Sequence, residues 1–220
     1  IVLERTAGDL SVSDETGTQP LQLTDLRLAL SAQEGVWSLT QALAGKTLGE
    51  AAGAVTARVA APQLFPSADT PIQGVLQARV ANLGTWGAWV PPGWRLAGNL
   101  NTSAVIGGRL GAPEYTGQIR GTDIGVRNIV QGVNVVEGDV DIKLQGSTAR
   151  IERFEAKAGG GSVRLEGSAS LGETPNAQLV LSADKFQLLG RVDRRLVASG
   201  SAKLRLDAHA LSLDGRFTVD

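Results

Sequence analysis

Cysteine and methionine are both missing from the 220 residues, and histidine occurs once, at position 209. Without cysteine there can be no disulfide, no zinc–thiolate site and no thiol nucleophile. A Ser-His-Asp triad would have to use His209, yet no G-x-S-x-G elbow accompanies it. Aromatic residues make up only 4% of the chain, too few for a base-stacking platform. Neither sign of charge dominates: 21 Lys and Arg stand against 22 Asp and Glu, so there is no basic field to draw in nucleic acid. No apolar run approaches the ~18 residues of a transmembrane helix.

What the chain has instead is alternation. In the stretch "GGGSVRLEGSASL", Val163, Leu165, Gly167, Ala169 and Leu171 point one way, and Ser162, Arg164, Glu166, Ser168 and Ser170 the other. A period of two marks a strand with one apolar and one wet face. The pattern returns with its glycine at 94–100, 196–206 and 211–219, and in close variants at 72–80, 115–119 and 136–144. Strands without the glycine lie between, at 26–30, 55–59 and 177–183. The spacing of roughly 10 to 18 residues, with turn signals such as "GETPN" and "QGS", indicates a meander of antiparallel hairpins.

One glycine per strand sits on the apolar face, where it weakens a strand and normally marks a bend or a close backbone approach. Gly74, Gly98, Gly117, Gly138, Gly167, Gly200 and Gly215 are expected to form one crease along which the sheet folds. Two stretches break the alternation. "LGTWGAWVPPGW" (83–94) reads as a short helix stopped by Pro91 and Pro92, and "KFQLLGRVDRRL" (185–196) as a second crossover with one helical turn. No linker divides the chain, so residues 1–220 are expected to form one β-trough segment. Both ends fall within strand-like patterns, which suggests a piece of a longer protein.

Other candidates are weak. Glu137, Asp139 and Asp141 alternate on a polar face and could hold Ca²⁺ through oxygen, but a solvated strand explains them equally well. Trp86, Trp89 and Trp94 cluster around the prolines and read as a cover for one side of the sheet. Arg191, Arg194 and Arg195 form a small basic patch suited to phosphate or to plain solvation. The apolar face itself is either the inside of a closed sandwich or a groove left open for an apolar partner.

Residues 90–128, "VPPGWRLAGNLNTSAVIGGRLGAPEYTGQIRGTDIGVRN", together with 132–172 and 193–220, resemble the periplasmic region of the TamB family, in the AsmA-like group of bacterial envelope proteins. The resemblance is good from about residue 70 onward and looser before it. It implies an all-β architecture: a long antiparallel meander curled into an elongated trough with an aliphatic concave face and one or two short helical crossovers. It implies no enzymatic activity and no cofactor. The parent protein would be anchored in the inner membrane and would lie in the periplasm. It would carry phospholipid acyl chains along the trough and assist outer-membrane protein assembly with a TamA-like barrel protein, whose docking segment would lie beyond this piece. The implied lining is Leu26, Leu28, Leu30, Leu96, Leu100, Ile106, Ile119, Val140, Ile142, Leu144, Val163, Leu165, Leu171, Leu179, Leu181, Leu204, Leu206, Leu213, Phe217 and Val219. Two alternatives stay open: a scaffold that binds nascent β-barrel strands, and, more remotely, a β-helix that acts on polysaccharide or serves as an adhesin.

Overall fold

The computed structural model describes residues 1–14, 17–170, 175–207 and 210–219. One antiparallel sheet of thirteen strands dominates it. Its order is β1 (Val2–Glu4), β4 (Leu23–Gln33), β5 (Val36–Gly45), β6 (Gly49–Arg58), β7 (Ile72–Val80), β8 (Trp94–Arg109), β9 (Ala112–Asn128), β10 (Val133–Gly146), β11 (Thr148–Ala158), β12 (Gly161–Ser170), β13 (Asn176–Gly190), β14 (Arg195–Leu206) and β15 (Leu211–Val219). The hairpin of β2 (Ser11–Asp14) and β3 (Gly17–Pro20) stands apart. From β4 to β15 each strand pairs with its neighbours in sequence, so the sheet is a pure meander and is not closed into a barrel.

The breaks in alternation resolve differently. Residues Leu83–Trp89 form a 3-10 turn that packs on β8 ahead of the prolines. The stretch 185–196 is not helical: β13 runs on to Gly190 through a bulge, and a short turn leads into β14. A bulge breaks alternation as a helical turn does, which is why the sequence misleads there.

The strands bend at such bulges. Register shifts fall at Ala97/Asn99, Val135/Gly138, Ile151/Glu155 and Ala183/Phe186. Through the ladders these lie at one level across β8 to β14. Gly98 (φ +101°), Asp123 (+55°), Glu137 (+52°) and Lys185 (+47°) occupy the left-handed region along this line. The extra residue bends a strand and raises its twist, so aligned bulges fold the sheet lengthwise.

The curl brings β10 against β13 beyond the tip of the shorter β11–β12 hairpin. The Gly190 N–H donates to the Gly132 carbonyl (2.7 Å), and Arg191 Nη1 donates to the Val130 carbonyl (2.8 Å). Beneath this closure Ala156, Ala158, Val163 and Phe186 form a buried cluster, with Val135, Phe154, Leu181 and Ala183 packed around it. At the opposite strand ends, loop 59–71 folds inward. Trp37 Nε1 donates to the Leu64 carbonyl (3.1 Å), and the Trp37 ring meets Phe65 at 5.5 Å. Among the described residues no second sheet covers the apolar face, and no large side chain is fully buried. The accessible surface is 14486 Å², against about 9,600 Å² expected for a compact protein of this mass.

Candidate functional site: an uncharged concave face

Directly paired residues in an antiparallel ladder share a face. One row can be followed strand by strand: Ala51, Ala78, Thr102, Ile119, Ile142, Ile151, Gly167, Leu179, Leu204, Leu213. Every sequence-selected lining residue within the described part lies on this same face. Leu26, Leu28 and Leu30 lie on β4, and Leu96, Leu100 and Ile106 on β8. Ile119 is on β9, and Val140, Ile142 and Leu144 are on β10. Val163 and Leu165 (β12) face Ala183 and Leu181 of β13, which also carries Leu179. Leu204 and Leu206 (β14) pair with Leu213 and Leu211 of β15, and Phe217 and Val219 follow in step. Leu171 and His209 lie outside the described residues.

The closure of β10 on β13 is made by residues of this face, so this is the side toward which the sheet curls. Among the described residues of β4 to β15, no ladder position on it holds Asp, Glu, Lys or Arg. Its polar members include Gln41, Thr102 and Asn128. Thr102 Oγ1 donates to the Gln118 carbonyl (3.1 Å), and Asn128 accepts from the Gln131 N–H (2.9 Å). Side chains along the middle of the trough are mostly half-buried, with Ala104, Ala177 and Ala202 buried. Toward the ends of the stack they become open: Leu28 is 43% exposed, and Leu213 71%.

The seven glycines lie on this face too, but not in one row. Gly98, Gly138 and Gly200 share the level of the bulges. Gly74, Gly117, Gly167 and Gly215 descend obliquely, by two residues from each to the next as the ladders are followed from β7 to β15. The single crease is therefore corrected to two lines, one level and one oblique. Strands tilted to the axis of a curled sheet carry a straight line across the register in this way. At Gly167, with φ +136°, an added Cβ would fall against the Gln178 carbonyl of β13. The oblique line thus marks where neighbouring backbones come closest.

The opposite face carries the charge, arranged in cross-strand pairs. Lys157 Nζ donates to Glu137 (2.7 Å), Arg153 meets Asp139 (3.5 Å) and Arg120 meets Asp141 (3.5 Å). The three carboxylates weighed for calcium each hold a cationic side chain instead. The Glu137 hydrogen bond, with the charge behind it, raises the Lys157 ammonium above its usual range. A furrow of about 570 Å³ on this face runs between Glu50, Arg79, Asn101 and Arg120 over the small Ala42 and Ala52. Its Arg79 is already engaged by Glu50 (4.0 Å) and Asn101 (3.2 Å). Arg191 and Arg194 both pair with Asp193 (3.0 and 3.5 Å). Trp94 is half-buried on the concave face, and Trp86 is half-buried on the 3-10 turn.

The sequence reading missed the bulge residues Asp123, Glu137 and Lys185, because none of these residue types signals a left-handed backbone. It also missed Trp37 with Phe65, which lie 28 residues apart.

No helix of the described chain is long and apolar enough to cross a membrane. No curated protein and no solved structure matches the chain. A family model described as the TamB C-terminal domain matches residues 152–220, about the last third, from within β11 to β15. Over that last third the chain is similar to the TamB C-terminal domain.

Proposed function

We propose that the concave face holds phospholipid acyl chains and conducts them along the sheet, within a protein that bridges the periplasm and takes part in outer-membrane protein assembly. The observation that carries this reading is the face itself: twelve consecutive strands without a charged ladder residue. An acyl chain asks for a dry aliphatic surface and no positioned polar group. A polypeptide laid along the trough floor would ask for more. Backbone N–H and C=O groups in the sheet interior are spent in the ladders, so the guest's own backbone would go unpaired, at a cost of several kcal/mol.

A strand-binding role finds its support elsewhere, at β15. All nine of its residues are exposed, and among the described residues it pairs only with β14. A nascent barrel strand, or a TamA-like partner, would add there by augmentation. Mass spectrometry of organic extracts of the purified protein separates the two. Stoichiometric phospholipid is the expected result. Lipid-free protein that captures unfolded barrel protein would replace the conduit with the scaffold.

A further inference from the structure

We infer that the acyl path uses only one half of the concave face, the half on the side of the β10–β11 turn; this rests on the lipid-conduit reading above. Across β10 to β13 the other half is already occupied, whereas loop 59–71 reaches the path's own half only at Trp37 on β5. Where β10 meets β13, the apolar side chains pack against each other instead of facing an open trough. Ala158 is 1% exposed, Ala156 2% and Phe186 9%. The two turns above them are joined by the Gly190–Gly132 and Arg191–Val130 hydrogen bonds, which shut that rim.

The shortness of the β11–β12 hairpin produces this closure. β12 pairs with β13 only as far as Asp184, and β13 continues six residues beyond, to Gly190. β10 likewise begins at Val133, ahead of its first pairing with β11 at Val136. The overhanging ends find no partner in the hairpin and close over its tip. Bulges at Glu137 and Lys185 aim them inward.

On the other half, the rows of Ile142 and Leu144 lie about 7 Å apart, two residues along a strand. They carry Ile151, Leu179 and Leu204, all half-buried, with the small Ala104 and Ala177 buried between larger neighbours. An acyl chain following the stack must run along these rows, because the cluster around Phe186 leaves it no dry surface on the far side.

The test places a photoreactive benzophenone amino acid at Leu144, Leu179, Val135 or Phe186 of the full chain in cells. After irradiation, phospholipid adducts are read by mass. The inference expects adducts at Leu144 and Leu179 in at least tenfold excess over Val135 and Phe186. Equal yields at all four overturn the one-sided path and leave the conduit reading standing. No adduct at any position, in protein shown to be folded, overturns the conduit reading itself. The Phe186→Trp and Leu144→Trp variants guard against misfolding, since the first is nearly conservative in size. Vesicles of phosphatidylethanolamine with brominated acyl chains should quench the tryptophan added at 144 and spare that at 186, and the reverse would overturn the inference.

Discussion

At Gly167 a single hydrogen atom decides whether β12 can approach β13. The backbone stands at φ +136°, and an added Cβ would fall against the Gln178 carbonyl. Gly167→Ala combines strain in a region that side chains avoid with a clash, and should destabilise by ~2 kcal/mol or more. Gly107→Ala is the contrast: it has open space around its Cβ direction and should be neutral or slightly stabilising, by ~0.5 kcal/mol. Urea unfolding of the two variants measures the difference, and equal midpoints would contradict the close approach. On the trough floor, Leu165 and Leu204 are half-buried with no layer above them. A carboxylate there can be hydrated while the trough is empty. Leu165→Asp and Leu204→Asp should therefore lose about 1–2 kcal/mol and melt only ~3–8 °C lower, and Leu204→Asp, on the path's own row, should abolish lipid content in extracts. Arg164→Asp and Lys203→Asp, on the wet face, should keep it. Unfolding by the first pair would show a core rather than a floor.

At the scale of elements, most of the sheet could be read from alternation, because each strand has a dry and a wet side and register follows from keeping the dry sides together. That the candidate lining residues share one face was legible for the same reason. The bend was legible only in part. Glycines announced close approaches, but the fold line runs through Asp123, Glu137 and Lys185, whose left-handed backbones the surrounding ladders impose. Tertiary pairing sets those angles, and no local residue preference records it. The closure of β10 on β13 depends on the length difference between hairpins, which appears only after strands are aligned. One further element is held in part by a single side chain. Asp9 accepts hydrogen bonds from the Leu23 and Leu10 N–H groups (both 2.9 Å) and from Gln22 (3.0 Å), and so pins the β2–β3 hairpin to the start of β4. The Leu23 hydrogen bond above all, helped by Gln22, Leu10 and Arg5, holds its carboxyl below the usual range. A depressed carboxylate stabilises fully above its unfolded value and is lost as pH falls through the folded one. The hairpin should thus stay docked at neutral pH and release only below ordinary carboxylate titration. Asp9→Asn should release it at all pH values, seen as faster amide exchange at Gln22 and Leu23. Unchanged exchange would remove the clamp.

For the whole molecule, thirteen strands at about 4.8 Å make a stack about 58 Å long. A compact 220-residue domain has a radius of gyration near 17 Å. Small-angle scattering should give a clearly larger value, about 20 Å or more, and a compact value would mean that the trough collapses in solution. The meander has a last consequence, for how the molecule comes apart. Nearly every strand touches only the strands beside it, and the main exception is the closure of β10 on β13. Such a chain behaves as a one-dimensional array, in which each unit is held by its nearest neighbours. Loss of structure should then spread inward from β1 and β15 as from the two ends of a zip. Amide exchange should be fastest at those ends and slowest at Ala156, Val163 and Phe186, where one clasp joins teeth that are not adjacent.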